Sequence, residues 1–185
     1  MSLTALLAGC GGKPFNVRPQ PTMPPASYKA QAQAGSLTIQ AEAVLNEDYL
    51  YDNFDANLIL AGVLPVRVRL TNTGSEPVEL KRARFTVASS AGREFKQIDA
   101  KKAFERLMSY YGVSVYSKSG YKESRQDFTT YALDLKPPLP PGESRYGVLF
   151  FETPVESSLD ASLTLRARRL DTTQPEDAVV ELKLN

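Results

Sequence analysis

Histidine and tryptophan are absent from this 185-residue chain, and cysteine occurs once. Without histidine the usual general base near neutral pH, the common proton shuttle and the commonest zinc ligand are all missing. A single cysteine leaves no internal disulfide framework and no thiolate cluster for zinc. The absence of tryptophan removes the aromatic platform that would best mark a sugar or peptidoglycan site. Apolar runs are short, well below the roughly eighteen residues that a membrane-spanning helix needs. Charge is balanced, with 22 basic and 21 acidic residues, so nothing global attracts nucleic acid. No phosphate-cradling glycine loop and no metal-ligand spacing occurs. The chain therefore reads as non-catalytic, with no cofactor and no metal. A hydrolase built on two carboxylates that meet in space is the alternative enzymatic reading.

What is present begins at the N-terminus. Leu3 to Cys10 is apolar or small apart from Thr4, and Gly11 and Gly12 follow. Leu7-Ala8-Gly9-Cys10 resembles a bacterial lipobox, the four residues at which lipoprotein precursors are lipidated and cut. The resemblance implies that Cys10 carries the lipid and starts the mature chain, with residues 1–9 a residual signal-peptide segment. No Lys or Arg precedes the apolar run, which is a departure from a full leader. Two or three acyl chains anchor a protein stably, at roughly 0.8 kcal/mol per buried methylene. Gly11 rather than Asp after the cysteine leans toward the outer membrane where an envelope has one. Pro14, Pro19, Pro21, Pro24 and Pro25 then punctuate the stretch to Gly35. Residues 10–35 are accordingly expected to form the attachment site and a stiff, proline-rich tether, with packing along the domain an equal alternative for its second half.

Beyond Gly35 the apolar period becomes two. Val66, Val68 and Leu70 alternate with Arg67 and Arg69, and Leu163, Leu165 and Ala167 alternate with Thr164, Arg166 and Arg168. Arg84–Val87 and Val180–Leu184 repeat the pattern, and 36–45 and 128–135 are further strand candidates. The solid apolar run 147–151 suits a central, buried strand. Asn72-Thr73-Gly74-Ser75, Ser90-Ala91-Gly92 and Pro140-Pro141-Gly142-Glu143 supply turns. Seven or eight short strands of this kind predict an antiparallel sandwich over 36–185. The order LPVRVRLTNTGSEPVEL, RFTVASSAGREF, LPPGESRYGVLFFETP resembles the Ig-like β-sandwich domains of many secreted and lipid-anchored bacterial proteins. That resemblance brings no functional residues with it.

One interruption breaks the strand pattern, an insertion over 99–126. Phe104, Leu107, Met108 and Tyr111 recur at helical spacing, with Asp99 placed to cap the start and Gly112 to stop the end, so a helix is expected near 99–112. Tyr110, Tyr111, Tyr116 and Tyr121 sit among serines, lysines and glycines, a composition suited to a partner surface or to the rim of a helix that lids one end of the sandwich. The acids Glu42, Glu47, Asp48, Asp52 and Asp55 match no calcium-loop spacing and predict a solvated acidic loop. Arg67, Arg69, Arg166, Arg168 and Arg169 supply basic strand faces able to pair with such acids across the sheet. Together these features imply a lipid-anchored, non-catalytic protein of the bacterial cell envelope. Its expected partners are the membrane, through the N-terminal lipid, and another envelope protein or component. A purely structural subunit of a larger envelope complex is the further alternative.

Overall fold

In the computed structural model, which describes residues 12–20, 28–156, 159, 163–168 and 180–183, alternation and capping residues set the elements. In chain order these are β1 (Ala30–Ala34), β2 (Leu37–Ala43), α1 (Glu47–Phe54), β3 (Val63–Asn72), β4 (Arg84–Ser89) and β5 (Glu94–Ile98). They continue as α2 (Ala100–Tyr110), α3 (Lys118–Thr130), β6 (Ser144–Glu152), β7 (Leu163–Arg168) and β8 (Val180–Lys183). All the described strands join one sheet in the order β1-β2-β3-β6-β5-β4-β7-β8, and every neighbouring pair is antiparallel.

The expected Ig-like sandwich is therefore wrong. A sandwich needs two separate sheets face to face, whereas β5 here belongs to both halves of one sheet. Its Glu94–Lys96 pair with Thr86–Ala88 of β4, and its Gln97 and Ile98 pair with Phe151 and Phe150 of β6. The continuous sheet curls into a half-barrel that carries β1 alongside β8, with no ladder between them among the described residues. Short strands with one apolar face look the same in sequence whether two sheets face each other or one sheet rolls onto itself.

Two cores result. Inside the curl, Ile39 and Ala41 of β2, Val66, Val68 and Leu70 of β3, Phe85 and Val87 of β4, and Leu149 and Phe151 of β6 are buried together. On the opposite face, Val63 of β3 and Val148 and Phe150 of β6 pack under the helices, against Leu50 and Phe54, Phe104 and Leu107, and Phe128. β6 is thus covered on both sides, which explains the solid apolar run that marks it. Each fully buried large side chain contributes roughly 1.5–3 kcal/mol relative to exposure.

The helix expected near 99–112 is α2, and its Asp99 cap accepts a hydrogen bond from Lys102 N at 2.7 Å. Two other helices depart from expectation. The acidic segment is not a loop: Glu47 and Asp48 occupy the first turn of α1, where the helix dipole favours them, behind an Asn46 cap. The strand expected at 128–135 begins as the last turn of α3. Only after it does the chain run beside β6, with Val148 N donating to Tyr131 O at 2.7 Å and Leu133 N to Val148 O at 3.0 Å. Gly147 makes that approach feasible, since a Cβ there would stand 2.5 Å from Leu133 Cα.

The tether reading of 10–35 also changes where residues are described. Phe15 and Val17 are buried under the helices, and Ala30–Ala34 is an edge strand. Ser124 Oγ donates to Phe15 O at 2.7 Å, and Arg18 N donates to Asn53 O at 2.9 Å. The two described pieces are parts of the fold, because Phe15 and Val17 gain more by burial than an exposed spacer would. Residues 1–9 and Cys10 lie outside the described residues.

Candidate functional site

The four tyrosines singled out from the sequence separate into two pairs. Tyr110 and Tyr111 end α2 and brace the domain. Tyr111 Oη accepts from Asn57 N at 2.9 Å and donates to Asn57 O at 3.3 Å, and its ring meets Phe15 edge-on at 6.0 Å. Burial, the largest influence, pushes its phenol up to about 12. Tyr110 Oη donates to Glu156 Oε1 at 3.0 Å, and that hydrogen bond raises its pKa.

Tyr116 and Tyr121 form the outer pair. Their rings stack at 5.3 Å, Tyr121 also meets Phe104 edge-on, and the Arg125 guanidinium lies 5.4 Å from the Tyr121 ring centre. Tyr116 is 39% exposed and the neighbouring Val115 is 83% exposed. Tyr116 precedes Ser117, whose hydroxyl caps α3 by accepting from Gly120 N at 2.9 Å. Lys122, Arg125, Gln126, Thr129 and Thr130 line an open depression of about 380 Å³ along the same helix.

No protein-family model matches the chain. No curated protein matches it. Among solved structures, a functionally unknown protein from Listeria monocytogenes EGD-e is similar at 14% identity and a TM-score of 0.44, over 83% of this chain and 79% of that one. A likeness at that level carries no argument here.

A second polar cluster joins Arg67 to Glu42, one of the acids with which the basic strand faces are expected from sequence to pair. β2 and β3 pair Glu42 with Arg67 and Gln40 with Arg69. The Arg67 guanidinium hydrogen-bonds the buried Glu42 carboxylate and lies 5.0 Å from the Tyr49 ring centre. Burial lowers the Arg67 pKa, with a smaller opposing contribution from Tyr28. A buried pair of this kind is weak evidence for stability. Arg166 instead bonds Glu94 at 3.0 Å, an acid outside the segment expected to pair with it. Arg169 lies outside the described residues.

Glu152 receives Lys102 Nζ at 2.8 Å and Arg106 Nη1 at 2.7 Å, while Arg106 Nη2 donates to Thr153 O at 3.1 Å. The lysine hydrogen bond, first among several influences, holds its carboxyl below the ordinary range. Its geometry clamps α2 to the end of β6. Among the described residues no group of three or more acidic, cysteine or histidine side chains could hold a metal ion, and no helix is long and apolar enough to cross a membrane.

Proposed function

We propose that this protein is a lipid-anchored component of the bacterial cell envelope, with a non-catalytic binding or assembly role. The observation that carries the reading is Leu7-Ala8-Gly9-Cys10, with its apolar approach from Leu3 and the glycines after it. Lipid on Cys10 supplies the membrane attachment, and Gly11 in place of Asp favours the outer membrane where one exists. The exposed contact surface for that role is the Tyr116–Tyr121 corner between α2 and α3. There an aliphatic and two aromatic side chains meet basic residues at the surface, the mixture that suits an interface better than a reaction centre.

The test is the intact mass of the N-terminal peptide from the gene product recovered from host membranes. A chain that starts at acylated Cys10, and loses membrane association on Cys10→Ser, supports the reading. An unmodified Cys10 within an uncleaved leader overturns it.

A further inference from the structure

The start of the described chain and the exposed corner of α3 meet at one place. Gly12 O accepts from Ser117 N at 3.3 Å, and Gly120 packs so tightly on Gly12 that a Cβ would come within 2.6 Å of that oxygen. Cys10 lies two residues upstream, and two residues of chain reach at most about 7 Å. A lipid on Cys10 is therefore tied short to this corner instead of trailing on a long leash.

The chemistry of the corner is one-sided. Val115 and Tyr116 project at the loop before α3. Lys118, Lys122 and Arg125 follow at i, i+4 and i+7, which places them along one side of the helix. None of the three has an ion pair among the described residues. The acids of α3 stand on its other flank, where Lys13 holds Glu123 at 2.7 Å and Asp127 at 3.4 Å. The basic stripe is thus not cancelled by its own helix.

We propose that this corner seats on the anionic phospholipid surface beside the anchor, with Val115 and Tyr116 in the headgroup layer and Lys118, Lys122 and Arg125 on the phosphates. This rests on the reading of Cys10 as the lipid-bearing residue. An aliphatic and aromatic tip flanked by basic residues is the composition that binds the membrane interface. A bilayer, unlike a protein partner, is brought within reach of the corner by the short tie itself. The surface field falls off over about 8 Å at physiological salt, so the stripe feels it only when held this close.

Two features of the chain make the test direct. Cys10 is the sole cysteine and no tryptophan is present. Cys10 can be coupled to a maleimide-headgroup lipid in vesicles, and Tyr116→Trp supplies a single fluorophore. Vesicles of phosphatidylcholine mixed with phosphatidylglycerol should shift its emission to the blue, and high salt should reverse the shift. Pure phosphatidylcholine vesicles should give none. A control fluorophore at Ser90→Trp, in the β4–β5 turn, should not respond. Each basic residue near an anionic surface contributes about fivefold, so K118Q/K122Q/R125Q should lower the seated-to-free ratio roughly a hundredfold while leaving melting unchanged. Equal shifts on neutral and anionic vesicles, no shift at all, or a shift caused only by dimerisation would each overturn the proposal. Because the coupling is chemical, failure here leaves acylation of Cys10 standing, and an unmodified Cys10 in membranes sinks the anchor without touching the vesicle result.

Discussion

Gly120 of α3 and Gly12 of the N-terminal segment are in backbone contact, with only 2.6 Å between the Gly12 oxygen and the place a Gly120 Cβ would occupy. Glycine inside a helix costs about 1 kcal/mol relative to alanine, so propensity alone would favour Gly120→Ala. The contact decides otherwise. The variant should push the segment off, lower stability by about 1–3 kcal/mol, and release hydrogen-exchange protection at Phe15 and Arg18. A higher melting temperature with unchanged protection would show that the segment is not pinned there. Phe15→Ala should cost more, about 3–5 kcal/mol.

Alkaline stability follows from two tyrosines. Burial pushes Tyr111 and Tyr131 up to about 12, and Tyr131 Oη donates to Arg18 O at 2.9 Å. In the unfolded chain both ionise near 10, so between these values the folded state binds more protons. Their contribution is fully present below pH 10 and is lost as pH rises through about 12. Tyr111→Phe should shrink the loss, measured as denaturant midpoint against pH. It should also lower stability near neutrality by about 1–3 kcal/mol, because the Asn57 N–H loses its partner.

The Glu152 clamp acts at the other end of the scale. Lys102 and Arg106 depress its folded pKa, so its contribution is present above the unfolded value and disappears as pH falls through the folded one. The carboxylate side chain is 38% exposed, which limits the effect to about 1 kcal/mol or less. Glu152→Gln should flatten the acid limb of a stability–pH profile by that amount. An acid limb identical to the parent's would assign the loss to other carboxylates.

Val68 and Phe150 report on the two faces of the sheet. Val68 is fully buried inside the curl and Phe150 is 1% exposed under the helices. Either residue changed to Asp should abolish cooperative unfolding, because each would bury an unpaired charge. Near-native melting of one variant would show that its face is open to water. Removing 101–126 outright would strip Phe104 and Leu107 from the second core, so point changes at Tyr116 and the α3 lysines are the cleaner probes of the corner.

Much of the fold was legible where a local rule suffices. The alternation in β3 and β7, the turn at Asn72–Ser75 and the Asp99 cap each depend on residues a few positions apart. Asn72 works at both scales: its buried side chain accepts from Gly74 N at 2.9 Å and donates to Glu76 O at 2.7 Å within the turn, and it also donates to the distant Leu139 O at 2.9 Å. Helix α3 was missed because its buried positions include Gly120 and Ser124, small residues that leave almost no apolar stripe. α1 was missed because two first-turn acids look like a solvated loop unless the Asn46 cap and the Leu50–Phe54 spacing are weighed against them. At the candidate corner, the tyrosines were visible but their division was not. Tyr111 is drawn inward by Asn57 and Tyr110 is held at the surface by Glu156, both partners far away in the chain.

By itself the sequence determined that this is a mainly β, antiparallel chain with a helix after Asp99, because period and capping are properties of neighbours. It also determined the lipobox-like motif, whose chemistry lies in four adjacent residues. Only the tertiary structure decided that one sheet curls through β5 instead of splitting into two, and that Phe15 docks the N-terminal segment against α3. Both depend on pairings between strands and surfaces far apart in sequence, where the same local pattern satisfies more than one arrangement and packing selects between them.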